Sequence, residues 1–346
     1  MIEVKKEGII LMKTKLGFEN EGVLNPAIIQ NDTGIHLFYR AVKKGNFSTI
    51  GYCKLSSPTE IEVRNNTPIL YSQFEFECQG LEDPRIVKIE EKYYLTYTAF
   101  DGVNALGALA VSYDLVNFEK KGVISPKFSY LDFSRLAESK GSINEKYLRF
   151  NSHSGIAHRK DKKAYVWDKN VILFPRKIDG KFYMLHRIRP DIQLVAFYTF
   201  EDLIPEFWQK YFLQMDGCII ISPKYDHEVS YVGGGCPPIE TPQGWLLIYH
   251  GVHDTVLGYV YSACAALLEL DNPQKVIARL PYPLFKPEFN WELNGEVNNV
   301  CFPTGTILIE DTLYIYYGAA DEQIACASVS ITALISELLL NTTSND

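Results

Sequence analysis

The residues best equipped for chemistry stand in Gly80-Leu81-Glu82-Asp83-Pro84-Arg85, a carboxylate pair and an arginine ahead of the apolar and aromatic run from Ile86 to Phe100. Asp-Pro favours a turn and KYYLTYTAF is rich in β-formers, so these charges sit at the lip of a strand. Further polar residues occupy matching places in segments of the same layout: Asn25, Arg40, Arg187, His250 and Asp321. A protein built only to pack its strands would place Val, Thr or Gly at such positions. Carboxylates, guanidiniums and an imidazole gathered on one axis would be costly unless they bound something. Any one of them could be a structural ion pair or a turn residue; together they indicate a ligand site.

Those residues need a scaffold that returns them to one place, and an internal repeat supplies it. The segments GVLNPAIIQNDTGIHLFYRA, GLEDPRI with YLTYTAF, VILFPRKIDGKFYMLHR, GGGCPPIETPQGWLLIYHG and NVCFPTGTILIEDTLYIYYGAAD share one plan. Each has a short apolar stretch through Pro, a polar turn, and a strand ending in an aromatic residue or His. Anchored on Tyr39, Tyr97, His186, Tyr249 and Tyr316, the copies lie 58, 89, 63 and 67 residues apart. The residues after the anchors are Arg40, Thr98, Arg187, His250 and Tyr317. A third strand of small residues follows each copy, as in ALGALAVSYD and IACASVSI. One strand-turn-strand unit used five times predicts an all-β fold, a five-bladed β-propeller. The blades fall at about 22–64, 69–121, 170–206, 217–270 and 300–331 of a single domain spanning 1–346, with a lead strand at 8–13 joining the last blade. Chemistry is then expected where strand ends and turns converge on the central channel.

The repeat is interrupted at about 128–169, where FSRLAESKGSINEKYLRF has helical composition and forms a partly helical insertion between blades two and three. A loop of this length is a candidate lid or oligomer contact. Its His153 and His158, beside the basic run 159–163, lack an evident third ligand and read as a solvated loop, so no metal is expected. The segment PYPLFKPEFNWELNGEVNN reads as irregular and surface-lying, and the tail at about 332–346 as a short apolar closing helix with a dimer contact as the sharper idea. The 346 residues carry a net charge of −8 that is spread out, which argues against nucleic acid. Seven cysteines without a C-x-x-C pair read as buried free thiols of a reducing compartment. The N-terminus has no signal-peptide core and no run approaches a membrane span, which predicts a cytoplasmic protein.

GLEDPRI with YLTYTA, LFPRKIDGKFYMLHR, GGGCPPIETPQGWLLIYHGV and the final YYGAAD resemble glycoside hydrolase family 130, the β-mannoside phosphorylases and related β-mannosidases. The similarity runs from about Asn25 to Asp321, and several ordered motifs make it specific. It implies a five-bladed propeller in which inorganic phosphate attacks a β-mannoside with inversion, releasing α-mannose 1-phosphate. By that resemblance Asp83 is the general acid, its proton passing through the mannose 3-hydroxyl, while Asn25, Arg40 and Asp321 hold the sugar. Arg187 and His250 fall in the phosphate pocket, with Lys169 a third member. Phosphate is already an anion and needs no base; it needs positive charge and planar donors, which Arg187 and His250 can supply. No cofactor is implied beyond phosphate as co-substrate. The implied partners are a β-mannoside oligosaccharide and phosphate, with neither nucleic acid nor membrane, and a possible homo-oligomer.

One position departs from the pattern. Phosphorylases of the family typically carry a lysine two residues before the glycines of blade four, and this chain has Tyr231 there. The loss of one cation keeps a β-mannosidase as the alternative, with Glu228 and Glu240 the nearest candidates for a base that activates water. A non-catalytic sugar-binding propeller is a third reading, opposed by the retained Glu82-Asp83-Pro84-Arg85. Gly233-Gly234-Gly235 is followed by no P-loop lysine, so these glycines are expected to let the backbone pass close to sugar or phosphate.

Overall fold

The computed structural model describes residues 2–140, 146–147 and 163–342. The chain is all-β, its strands joined mostly as antiparallel meanders. Strand β1 (Lys5–Leu11) leads into a first meander of β2 (Gly22–Asn31), β3 (Gly34–Lys43), β4 (Phe47–Ser57) and β5 (Glu60–Arg64). A second comprises β6 (Gly80–Ile89), β7 (Lys92–Phe100), β8 (Ala105–Ser112) and β9 (Glu119–Val123). One parallel pair, Ser48 with Gly80, joins these two into an eight-stranded sheet. The third holds β10 (Lys169–Leu173), β11 (Phe182–Arg187), β12 (Ile192–Phe197) and β13 (Ile219–Ile221). The fourth has β14 (Tyr231–Gly234), β15 (Ile239–Thr241), β16 (Gly244–Thr255), β17 (Gly258–Leu268) and β18 (Val276–Arg279). The last has β19 (Cys301–Ile309), β20 (Thr312–Ala319) and β21 (Gln323–Ser330), with β1 antiparallel on β21.

Middle strands such as β7 and β16 are buried on both faces, which is why they read as unbroken apolar runs. The reason lies in the cores. Five apolar clusters each fill the space between consecutive meanders: Phe38 and Ile50 meet Leu81 and Leu95, Val87 and Leu109 meet Val171 and Met184, Leu185 and Ile192 meet Leu247, and Ile248 meets Ile315. The fifth joins the two ends of the chain, packing Leu11, Val23 and Leu37 against Ile307 and Ile324.

The lead strand at 8–13 thus appears as β1 on β21, shifted toward the N-terminus. The third meander ends later than expected, because helix Pro205–Phe212, which the repeat did not indicate, stands between β12 and its edge strand β13. Trp208 and Phe212 of that helix join the core between the second and third meanders. Helix Tyr130–Lys140 lies in the expected insertion; His153, His158 and residues 159–162 fall outside the described residues. The segment 281–299 is less irregular than expected, holding a helical turn Asn290–Leu293 whose Glu292 is fully buried. Helix Ile331–Leu340 packs as a closing element through Leu334, Ile335 and Leu338. Five cysteines are buried, Cys218 is partly so and Cys78 is exposed. No described helix is long and apolar enough to cross a membrane.

Candidate active site

The first strands of the first three meanders share a local distortion. Register slips between Leu24 and Ala27, Glu82 and Arg85, and Lys169 and Ile172, so each strand carries a bulge. The residue after the first of each pair is left-handed: Asn25 at φ 50°, Asp83 at 49° and Asn170 at 54°. Asn and Asp tolerate that conformation better than other residues with side chains, and the Pro that follows Asn25 and Asp83 lacks an N–H that a bulge need not pair. The bulge re-aims the side chain off the ladder into a cavity of about 150 Å³, lined by all three. On the neighbouring strand the residues paired with Leu24, Lys169 and Gly233 are Arg40, Arg187 and His250.

One side of the cavity is built around Asp83. Its Oδ1 accepts from Asn25 Nδ2 at 2.7 Å and lies 3.6 Å from Arg40 Nη1. Arg40 Nη2 donates to Glu82 at 2.9 Å, and Lys169 Nζ donates to the other oxygen of Glu82 at 3.1 Å. Burial pushes the Asp83 carboxyl up, but Arg40, Lys169 and the Asn25 amide outweigh it and hold the group below its ordinary value. Asp321 on the same wall is pushed up to about 6, chiefly by burial, with the Asp83 charge adding to it against Arg40. The two carboxyls are therefore driven apart, one ionised and one near half-protonated at pH 6. Arg85 serves the scaffold: Nε donates to Gly235 O, and Nη1 to Asp83 O and Pro84 O, each at 3.0 Å.

The other side is cationic. Arg187, Arg189, Tyr231 and Tyr261 line it, and no described carboxylate pairs with either arginine. Arg187 is pushed down to about 10 by burial and by the charge of Arg189. Its Nη1 lies 3.4 Å from His250 Nε2, and its Nε has no partner. His250 is fully buried and stands behind Arg187 rather than on the cavity wall, its ring 4.4 Å from Phe302. Burial first, then Arg187, holds it well below its ordinary value, so it is neutral at pH 7 and accepts from Arg187 through Nε2. Asn25 Oδ1, Asn170 Oδ1 and His250 Nδ1 are also buried without partners. Such a cluster of unsatisfied groups around one cavity is the mark of a ligand site.

The preceding residue in each strand faces the opposite way. Tyr39 donates to Glu19 at 2.6 Å, Tyr97 to Glu77 at 2.8 Å, Tyr249 to Glu228 at 2.6 Å and Tyr317 to Glu292 at 2.6 Å. Each carboxylate also meets a cation, respectively Arg64, Lys120, Arg279 and Lys6. In the third meander His186 takes the tyrosine's place between Asp168, 2.9 Å away, and Tyr211. These contacts correct two expectations. The fifth anchor is Tyr317, so the cavity-facing position after it is Gly318, where a Cβ would sit 2.0 Å from Asn25 Oδ1. Glu228 is no base in the site: it is held by Arg279, Tyr249 and two backbone N–H groups, while Glu240 pairs with Arg176 on the surface. The glycine run is likewise explained by the protein itself. A Cβ on Gly233 would lie 2.5 Å from the His250 ring.

Asn25, Arg40, Asp83, Lys169, Arg187, Tyr231 and Asp321 all line one cavity, as expected together, with His250 just behind. The sequence reading missed Asn170, Arg189, Tyr261 and Phe302. Asn170 was findable as the residue matching Asn25 and Asp83, whereas Arg189 lies past the end of β11 and outside the repeat. Among the described residues His227, Glu228 and Cys264 come within 4.8 Å of one another, but the Arg279 guanidinium on Glu228 makes that group a poor cation site.

A family model described as beta-1,4-mannooligosaccharide phosphorylase matches residues 13–339. A 1,2-beta-oligomannan phosphorylase of Thermoanaerobacter sp. (strain X514) is 34% identical over 343 residues, 94% of this chain and 97% of its own length. A beta-1,2-mannobiose phosphorylase of the same strain is 34% identical over 329 residues, 90% of this chain and 91% of its own. For the fold, the solved structure of beta-1,2-mannobiose phosphorylase from Listeria innocua in complex with beta-1,2-mannobiose superimposes with a TM-score of 0.73 at 21% identity, covering 98% of this chain and all of that one.

Proposed function

Because the chain belongs to glycoside hydrolase family 130, we propose that it cleaves β-mannosides with inorganic phosphate, releasing α-mannose 1-phosphate and the sugar that carried it. The observation that carries this reading is the cationic wall, where Arg187 and Arg189 have no described carboxylate partner. An attacking anion calls for such a wall, whereas attacking water calls for a carboxylate base. The carboxylates considered for that role, Glu228 and Glu240, are engaged elsewhere.

In this reading the meanders are five blades of one propeller domain spanning the chain. The five apolar layers, including the one from last meander to first, support closure. Asn25, Arg40 and Asp321 hold the mannose beside Asp83, and Arg187, with Lys169, Tyr231 and the supporting His250, receives the phosphate. A phosphate oxygen forms the new bond to the anomeric carbon as the glycosidic C–O bond breaks, and Asp83 delivers a proton to the departing oxygen. Hydrogen phosphate brings one proton and the sugar phosphate leaves without it, so the balance needs no other co-reactant. Asp83 starts ionised and takes up a proton from solvent as the negative charge of the incoming phosphate raises its proton affinity; the proton that hydrogen phosphate sheds on forming the ester returns to solvent, so the exchange balances. A second cleft of about 490 Å³ shares Arg40, Val297 and Asp321 with the cavity but none of Arg187, Arg189, Tyr231 or Tyr261. In-line displacement places the departing sugar there, opposite the nucleophile.

The linkage we favour is β-1,2, because the three relatives that match nine-tenths or more of the chain act on β-1,2-mannosides by name. A relative named beta-1,4-mannooligosaccharide phosphorylase, from Ruminococcus albus, matches 52% of it. The test is product analysis from β-1,2- and β-1,4-mannobiose with and without phosphate. Phosphate-dependent α-mannose 1-phosphate from the β-1,2 substrate is expected. Free mannose formed at a rate indifferent to phosphate would establish hydrolysis instead.

A further inference from the structure

We propose that Arg189, which belongs to none of the recognised motifs, is a second guanidinium ligand of the attacking phosphate, and that Tyr231 is the positioning residue that aims it. The inference rests on the phosphorolytic reading of the site given above.

Arg189 lines the cavity two residues beyond Arg187. Its guanidinium lies 4.1 Å from the centre of the Tyr231 ring, and Nη2 donates to the Tyr231 hydroxyl at 3.2 Å. Stacking fixes the plane of a guanidinium while leaving its other N–H groups free to donate, the arrangement that suits forked recognition of phosphate. The platform is itself fixed. Tyr231 is 1% exposed and its hydroxyl is bonded to that of Tyr261. Arg187 approaches the same ring at 5.4 Å, so one tyrosine serves two guanidiniums.

The charge count points the same way. Of the four cations that line the cavity, Lys169 is bonded to Glu82, which also holds Arg40. That leaves Arg187 and Arg189, about two positive charges without described carboxylate partners, matching the charge of hydrogen phosphate at neutral pH. Two guanidiniums so close repel each other, and an anion between them relieves the repulsion. Tyr231 then contributes its ring face rather than a charge, and the cation of this wall comes from the arginine lying on it.

The test is steady-state phosphorolysis by the full chain, with phosphate varied at saturating β-mannoside and then the reverse. Arg189→Ala should raise the KM for phosphate at least ~10-fold and leave the KM for mannoside within ~2-fold, since hydrogen bonds to charged groups are the strong ones. Tyr231→Ala, which removes the platform, should reproduce that change, and the double variant should be no worse than either single one. Tyr231→Phe keeps the ring and should shift the phosphate KM by less than ~3-fold. Arg189→Lys guards against misfolding, keeping a charge while losing the fork, and should fall between wild type and Arg189→Ala. An unchanged phosphate KM in Arg189→Ala, with a raised one in Arg187→Ala, would overturn the role of Arg189 and leave the phosphate site standing. No change in either variant would overturn the phosphate reading of the whole wall, and an equal rise for both substrates would reassign Arg189 to general site structure.

Discussion

Tyr39 and Arg40, Tyr97 and Thr98, Tyr249 and His250 are neighbours in sequence, yet they belong to opposite halves of the molecule's polar interior. The tyrosines face networks in which each buried carboxylate meets a phenol and a cation, with backbone N–H groups added at Glu77, Glu228 and Glu292. On the other face Arg40 lines the cavity and His250 stands just behind its wall, and there Arg187 Nε, His250 Nδ1 and Asn25 Oδ1 have no partner. Strand alternation alone produces the division, since successive side chains point to opposite faces. Burial is similar on both faces; satisfaction is what differs. A paired buried network stabilises the fold and binds nothing further, whereas an unpaired one of the same residue types is costly to the fold and available to a ligand. The half that carries the proposed active site is thus the half in which buried polar groups are left without partners.

The sharpest way to test that division is to remove one carboxylate from each half. Asp83→Asn, in the cavity, should reduce turnover by the ~10²–10⁴-fold expected for lost acid catalysis while the thermal melting point stays close to wild type. Near-normal turnover in a folded Asp83→Asn variant would remove Asp83 from the proton path. Glu228→Gln, in the paired half, should do the reverse. It leaves Arg279 buried beside a neutral amide, and breaking a buried pair in this way costs about 3–5 kcal/mol. Denaturant unfolding should show that loss, with the phosphate KM of the folded fraction little changed. A Glu228→Gln enzyme of wild-type stability that had lost phosphate dependence would place Glu228 in the chemistry and break the comparison.

The repeat was legible because its cause is local: β-rich strands, polar turns and a bulky anchor recur at every meander. Cavity residues that sit at repeat positions, such as Asn25, Asp83 and Arg187, were legible for the same reason, whereas Asp321, past the end of β20, was marked by the YYGAAD motif. The anchor of the last meander was misplaced by one because YIYYG offers Tyr316 and Tyr317 side by side. Only the contact with Glu292 distinguishes them, since Tyr316 donates instead to Pro58 O. The glutamates were in plain view as the E of FEFE, YDHE and FNWE, but their partners come from elsewhere in the chain: Lys6 is supplied to Glu292 by β1 from the far end. Arg189 stayed hidden because no periodicity governs a residue past a strand's end. Its role depends on the ring of Tyr231, 42 residues away.

The smallest effect tests the comparison within the cavity itself, at Asp321. Burial raises this carboxyl from an ordinary value near 3.8 to about 6, so the folded chain holds the proton more tightly than the unfolded one. By linkage, the stability this contributes is fully present below about pH 4 and is lost as pH rises through about 6. At neutral pH the fold therefore carries an ionised carboxylate that its surroundings disfavour. Asp321→Asn removes that group while keeping its shape, so the variant should gain stability relative to wild type as pH is raised from about 5 to about 7.5. The gain should be smaller than the loss in Glu228→Gln, because the Asp321 side chain keeps access to the cavity. Melting points of the two proteins at the two pH values give the answer. A difference that does not change with pH would mean that Asp321 is as well satisfied as the outer glutamates. If the difference grows with pH, removing a carboxylate strengthens the fold on the cavity side and weakens it on the other, which is the behaviour expected of a polar group held for its ligand.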